Sequence, residues 1–128
     1  MHRRRQYVGR LTPTRPDMLA TGPTPHELAL VREHAARLQR LTEEGTVALV
    51  GRTTVATADA WFISIFWAES DEAAQALLDA DPCVAAGVMR AELSPFEVLT
   101  LNAASAAPSR LLAGAQLEKT RGAGATDR

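Results

Sequence analysis

Two side chains in this sequence have the type and the setting to do proton chemistry. His34 lies in the middle of an apolar stripe that recurs at helical spacing, where a ring able to carry charge needs a partner. Imidazole titrates near neutral pH, so a histidine set in an apolar wall can give or take a proton. Asp81 stands directly before Pro82, just after a second helical run. A carboxylate bonded to one ring nitrogen of a histidine fixes the tautomer and raises the basicity of the other nitrogen, as in catalytic triads. Both residues also have plainer readings. His34 could be a core histidine bonded to a backbone carbonyl, and an Asp before Pro is a good N-cap for the short turn Pro82–Ala86. Asp81 can fill both posts, because a carboxylate has several acceptor sites.

Around this pair stand candidates for holding and enclosing a ligand. Arg15, in a proline-rich segment, and Arg10, on a first strand, could grip a carboxylate or phenolate in fork geometry, with Arg52 in a turn as a further cation. The competing assignment is a surface salt bridge. Met18, Phe62 and Phe66 could form an apolar wall that excludes water, and Ser64 could line the pocket or merely relieve packing. Cys83, one residue past Pro82, reads as a small buried filler and not as a nucleophile, since no base is marked beside it. His2, His26 and His34 share no ligand spacing and Cys83 stands alone, so no metal site is expected. The chain has neither a phosphate-cradling glycine loop nor a dinucleotide fingerprint, which points to chemistry without a cofactor.

Composition narrows the class. A chain of 128 residues, 46% hydrophobic and with a net charge of −1, supports one domain with an ordinary core. That charge balance gives no reason to expect nucleic-acid binding or steering of acidic substrates, and Arg3-Arg4-Arg5 is too short a run to argue otherwise. No apolar run is long enough to span a bilayer and no signal-type segment is evident, so a cytoplasmic protein without membrane contact is the expectation. The single cysteine agrees with a reducing compartment.

The elements that must position these residues follow from periodicity. Residues 6–11 read as a strand. The stretch TPTRPDMLATGPTP is predicted to be irregular, because Pro13, Pro16, Pro23 and Pro25 interrupt it, and to act as a lid or pocket wall. Thr24, Pro25 and Glu27 mark a capped helix start, and Gly45 its end. Its predicted buried face is Leu28, Val31, Ala35, Leu38 and Thr42, with Leu30 and Leu41 at the edge and Glu33, Arg37, Arg40 and Glu44 in water. Residues 46–50 and 61–67 read as strands, the second apolar on both faces. Ser70 caps a second helix over DEAAQALLDA, and residues 87–100 form a last strand, broken or bulged at Pro95. The domain is expected over 1–101, followed by a flexible tail over 102–128 with a weak helix at 109–119.

The order strand, helix, strand, strand, helix, strand is the split βαβ of an α+β, ferredoxin-like fold, with two helices on one face of an antiparallel four-stranded sheet. The other face would expose the aromatic and aliphatic side chains of the third strand, including Trp61 and Trp67. A second copy of the same sheet is the simplest cover, giving a two-fold homodimer.

This ordered set of segments resembles the YciI-like (YCII-related) family of dimeric α+β barrels. The match is carried by YVGRLTPTRPDM, the helix PHELALVREHAARLQRLTEEG, VALVGR, SDEAAQALLDADPCVAAGV and the closing RAELSPFEV, over roughly residues 6–99. The resemblance implies a small cytoplasmic protein with a His/Asp pair in a pocket, here His34 and Asp81. Some relatives act as dehydrochlorinases or related lyases, and the same barrel superfamily includes muconolactone isomerases and cofactor-free monooxygenases, so the fold does not choose a reaction. The family often has Gly-Pro after the second strand where this chain has Gly51-Arg52. The function expected is a cofactor-independent lyase or isomerase on a small organic acid or cyclic metabolite. The alternatives are a small-molecule binding module without turnover and a dimerisation module with an incidental pocket.

Overall fold

Alternation sets the sheet. In β1 (Arg5–Pro13), Tyr7, Gly9 and Leu11 are buried on one face while Arg10 points to the other. In β3 (Phe62–Ala68), Ser64, Phe66 and Ala68 are buried on that same side. β1 lies between β3 and β4 (Met89–Pro95), and β3 lies between β1 and β2 (Val47–Arg52). All neighbouring pairs run antiparallel, in the order β2-β3-β1-β4. The structure, a computed structural model, describes residues 3–105.

The two expected helices, α2 (Pro25–Glu43) after β1 and α3 (Asp71–Asp79) after β3, are joined by two short ones, α1 (Asp17–Thr21) before α2 and α4 (Pro82–Ala85) after α3. The result is an α+β, ferredoxin-like fold, with α2 and α3 on the face that carries Tyr7, Gly9 and Leu11. α3 comes so close that a Cβ at Gly9 would stand 2.8 Å from Leu78 Cδ1. Tyr7 stacks on Phe66 and donates its hydroxyl to Asp71 Oδ1 at 2.7 Å, tying β1 to the start of α3. Two buried clusters result. One gathers Leu11, Met18, Leu78, Cys83, Val88 and Met89, and the other Tyr7, Val47, Phe66, Ala68 and Ala74.

Local chemistry sets the element ends. The Thr24 hydroxyl accepts from Glu27 N at 3.1 Å and Glu27 Oε1 accepts from Thr24 N at 2.9 Å, a complete capping box with Pro25 at the first helical position. Gly45 follows the helix with φ 86°, the left-handed region that favours glycine. Ser70 caps α3 by accepting from Ala73 N, and Asp81 caps α4 by accepting from Cys83 N.

The structure departs from the sequence reading in four places. The proline-rich segment is not wholly irregular: Met18 is buried in the first cluster, and the turn it anchors winds into α1 after Pro16. The covered face of α2 is rotated by about one residue. Glu27, Leu30, Val31, His34, Arg37 and Leu38 are wholly or partly buried, whereas Leu28, Ala35 and Thr42 are exposed. β2 contains an irregularity between Val47 and Leu49, which slips the alternation so that Val47 and Val50 share a face. The last strand ends at Pro95, where a break was expected, and does not run on to residue 100; a final bond from Phe96 N to Gln6 O at 3.0 Å closes the pairing.

The chain divides into two compact units, Met1–Glu97 and Val98–Arg128. All regular elements among the described residues lie in the first. In the second, Asn102 Oδ1 accepts from the backbone N–H groups of Ala104 and Ser105. The expected weak helix over 109–119 and most of the expected flexible tail lie outside the described residues. Among the described residues no helix is long and apolar enough to cross a membrane.

Candidate active site

The rotation of α2 places His34 against the sheet, 8% exposed, facing the start of α4. The Asp-Pro step that ends α3 turns the Asp81 side chain inward, where it is 2% exposed. His34 Nδ1 and Asp81 Oδ2 are 2.5 Å apart, and Asp81 Oδ1 accepts from Cys83 N at 2.8 Å. Burial pushes the Asp81 carboxyl up, but the bond to His34, the charge there and the backbone N–H groups of Cys83 and Val84 outweigh it, so its pKa lies below the ordinary value. Asp81 is therefore a carboxylate at neutral pH and can only accept. In the neutral ring the proton then belongs on Nδ1, and Nε2 carries the lone pair.

Nε2 has no hydrogen-bond partner among the described residues, yet it is not sealed in. The ring lines a recess between α2, α3 and the sheet, together with Leu11, Leu38, Val47, Val50, Phe62 and Leu77 among others. The Ser64 hydroxyl also lines this recess without a partner and without being sealed. Arg37 is the group that sequence reasoning missed, having been placed in water. Its side chain is 17% exposed, Nη2 donates to Leu77 O at 2.8 Å, and Nη1 stands 3.9 Å from Asp81 Oδ2. The signal was available in its position, one turn beyond His34 on the same face.

The remaining predicted residues are not gathered there. Phe62 and Ser64 line the recess with His34 and Asp81, as expected. Phe66 packs in the second cluster with Tyr7, and Met18 in the first with Cys83. Arg15 is held by Glu27 through Nε at 2.8 Å and Nη2 at 2.6 Å, and by Gly22 O at 3.0 Å, so it clasps the loop to α2. That fork, followed by the capping bonds of Thr24, lowers the Glu27 carboxyl to about 2. Arg10 lies on the opposite face of the sheet, its guanidinium 5.1 Å above the Trp61 ring. Arg52 is exposed on edge strand β2, beside Phe62 in register, and does not line the recess.

Cys83 is fully buried, and burial, with the charges of Asp81 and Glu33, pushes its thiol up to about 11. It stays protonated and is no nucleophile. His34, Asp81 and Cys83 offer ligand atoms within 4.8 Å of one another, a possible grip on a metal ion. An ion there would have to displace the His34–Asp81 bond and deprotonate a strongly shifted thiol, so the donor set fits a metal poorly.

A ferredoxin-like α+β domain with a buried His–Asp pair opening on an apolar recess is the class that fold and site define. The model of the YCII-related domain matches residues 7–97, and the chain belongs to that family. No curated protein matches the chain. Among solved structures, the uncharacterized protein TM1266 from Thermotoga maritima is 14% identical with a TM-score of 0.44, covering 74% of this chain and 100% of its own.

Proposed function

We propose that this protein is a cofactor-independent lyase or isomerase acting on a small organic acid or cyclic metabolite, with His34 moving the proton and Asp81 orienting it. One observation carries the reading: His34 Nδ1 is bonded to Asp81, Nε2 has no hydrogen-bond partner among the described residues, and the ring lines an apolar recess. Nε2 takes a proton from a C–H next to an electron-withdrawing group. The C–H electron pair becomes a double bond. In elimination a leaving group departs from the adjacent carbon with its bonding pair, and in isomerisation the proton returns at another carbon. Asp81 stabilises the imidazolium formed in between. The leucine, valine and phenylalanine wall keeps water from competing for the proton.

The second reading, a small-molecule binding or accessory module without turnover, draws on the scarcity of polar groups at the recess. Thermal unfolding against small carboxylates, phenols, lactones and chlorinated cyclic acids separates the two, because any ligand of the native state raises the unfolding temperature. An enzyme is expected to give a compound that stabilises the wild type, is altered on incubation, and is bound but unaltered by His34→Ala. A stabilising compound left intact by the wild type would make the protein a binder.

We also propose a two-fold dimer through the open face of the sheet. Val8, Leu49, Ile63, Ile65 and Trp67 share that face by register, flanked by Arg10 over Trp61 and Arg4 over Trp67. These side chains are apolar or stacked on aromatics, and among the described residues no helix covers them.

A further inference from the structure

We propose that Arg37 is the anion anchor of the recess, and that the ligand is a small monocarboxylate whose apolar body lies against the leucine and valine wall. The inference deepens the proposed function and rests on it for the identity of the site.

Arg37 lies one helical turn beyond His34 on the same face of α2, and both residues line the recess. It is largely buried, with one hydrogen bond, from Nη2 to Leu77 O. Nη1 and Nε make no hydrogen bond among the described residues and are not sealed in. Nη1 faces Asp81 Oδ2 at 3.9 Å, too long for a hydrogen bond. A buried guanidinium is an expensive group to leave with open N–H bonds, and the shape of those bonds matches a carboxylate. The Leu77 carbonyl, near the end of α3, has no helical partner and fixes the direction of the fork.

The two charges that line the recess, Arg37 and Asp81, balance, so it is the open N–H bonds of Arg37 and not a net charge that select a carboxylate. The recess is lined by one fixed cation, Arg37, and one carboxylate, Asp81, which is already engaged by His34 and Cys83. An incoming carboxylate can accept from Arg37 without breaking either bond of Asp81. It would also stabilise the imidazolium that His34 becomes after taking a proton. The other arginines considered do not compete: Arg15 is held on both its Nε and Nη2 by Glu27, and Arg10 lies across the sheet. A neutral ligand of the same shape with no acceptor at that end would leave Nη1 and Nε desolvated without a hydrogen bond.

The test is a titration of the full chain with butyrate, crotonate and benzoate, and with the three corresponding amides, followed in arginine side-chain proton–nitrogen spectra. At least one carboxylate is expected to move the Arg37 Nε–H signal saturably while its amide does not. Arg37→Gln is expected to weaken that carboxylate by about tenfold or more, the scale of one charge-assisted hydrogen bond. Arg37→Lys should keep part of the affinity, and Arg15→Gln should bind like the wild type. The acid–amide comparison in the wild type needs no variant, so loss of the Leu77 contact cannot imitate the result. No saturable binding of any of the three acids, equal binding of acid and amide, or unchanged affinity in Arg37→Gln overturns the anchor. Turnover of an uncharged substrate without carboxylate binding would overturn the anchor and keep the catalytic reading. Carboxylate binding at Arg37 with no turnover of any acid would do the reverse.

Discussion

Asp81 does two jobs with two oxygens. Oδ1 caps α4 through Cys83 N, and Oδ2 holds the imidazole. Asp81→Asn separates them. The amide oxygen can still accept from Cys83, but an amide –NH2 turned to His34 donates, so Nδ1 must accept and the proton moves to Nε2. The base facing the recess is then lost while the cap survives. The expected outcome is a fall in kcat of about 10²- to 10⁴-fold with a modest change in unfolding temperature. An Asp81→Asn protein with wild-type turnover would remove Asp81 from the chemistry. The lowered pKa of Asp81 gives the sign of its pH dependence. Its contribution to stability is complete above the ordinary carboxylate pKa and is lost as the pH falls through the lower folded value.

At the scale of elements, the start of α2 holds the site in place. Thr24 and Glu27 close the capping box, and Glu27 also grips Arg15, which binds the preceding loop to the helix. Thr24→Ala should cost about 1 kcal/mol of stability, measured by denaturant unfolding. Because the Glu27 carboxyl falls from 4.5 to about 2 on folding, its contribution is present above 4.5 and disappears as the pH drops toward 2. Glu27→Gln should therefore be less stable than wild type at neutral pH, with the gap closing over that acid window. A gap that stays constant with pH would mean the carboxylate is not what Arg15 and Thr24 require. Deeper in, Phe66→Ala should cost about 3–5 kcal/mol, since Phe66 is fully buried against Tyr7.

Legibility also divides by element. The ends of α2 could be read because Thr24, Pro25, Glu27 and Gly45 act on neighbouring backbone and need no knowledge of the fold. The phase of its buried face could not. Leu28 and Ala35 are as apolar as Leu30 and Val31, and only the position of the sheet decides between the two stripes. The same uncertainty concealed Arg37, because a charged residue beside an ambiguous stripe reads as solvated. His34 and Asp81 stood out because an imidazole amid leucines and an Asp-Pro step are locally unusual, while their meeting across the fold came from the family resemblance. The slip in β2, which puts both Val47 and Val50 on the recess side, has no marker such as glycine or proline.

For the whole molecule, the sheet has one face under helices and one face that no helix among the described residues covers. The open face carries isoleucine, leucine and valine side chains across three strands. If a second copy covers it, the wild type should sediment as a dimer, and Ile65→Glu should sediment as a monomer, because a buried unpaired carboxylate opposes closure. The recess lies on the helix side of the sheet, so ligand binding per subunit should survive in that monomer. A wild-type monomer at all concentrations would refute the dimer and leave the His34–Asp81 site untouched.

The central claim is that His34 Nε2 moves a proton of a bound small organic acid or cyclic metabolite. It is tested most directly by incubating the protein in D2O with unsaturated lactone acids and β-chloro acids and following deuterium at the activated carbon by NMR. The account predicts catalysed deuterium incorporation or elimination with at least one compound in the wild type, none with His34→Gln, and a strongly reduced rate with Asp81→Asn. Exchange at the same rate in His34→Gln and the wild type would contradict it.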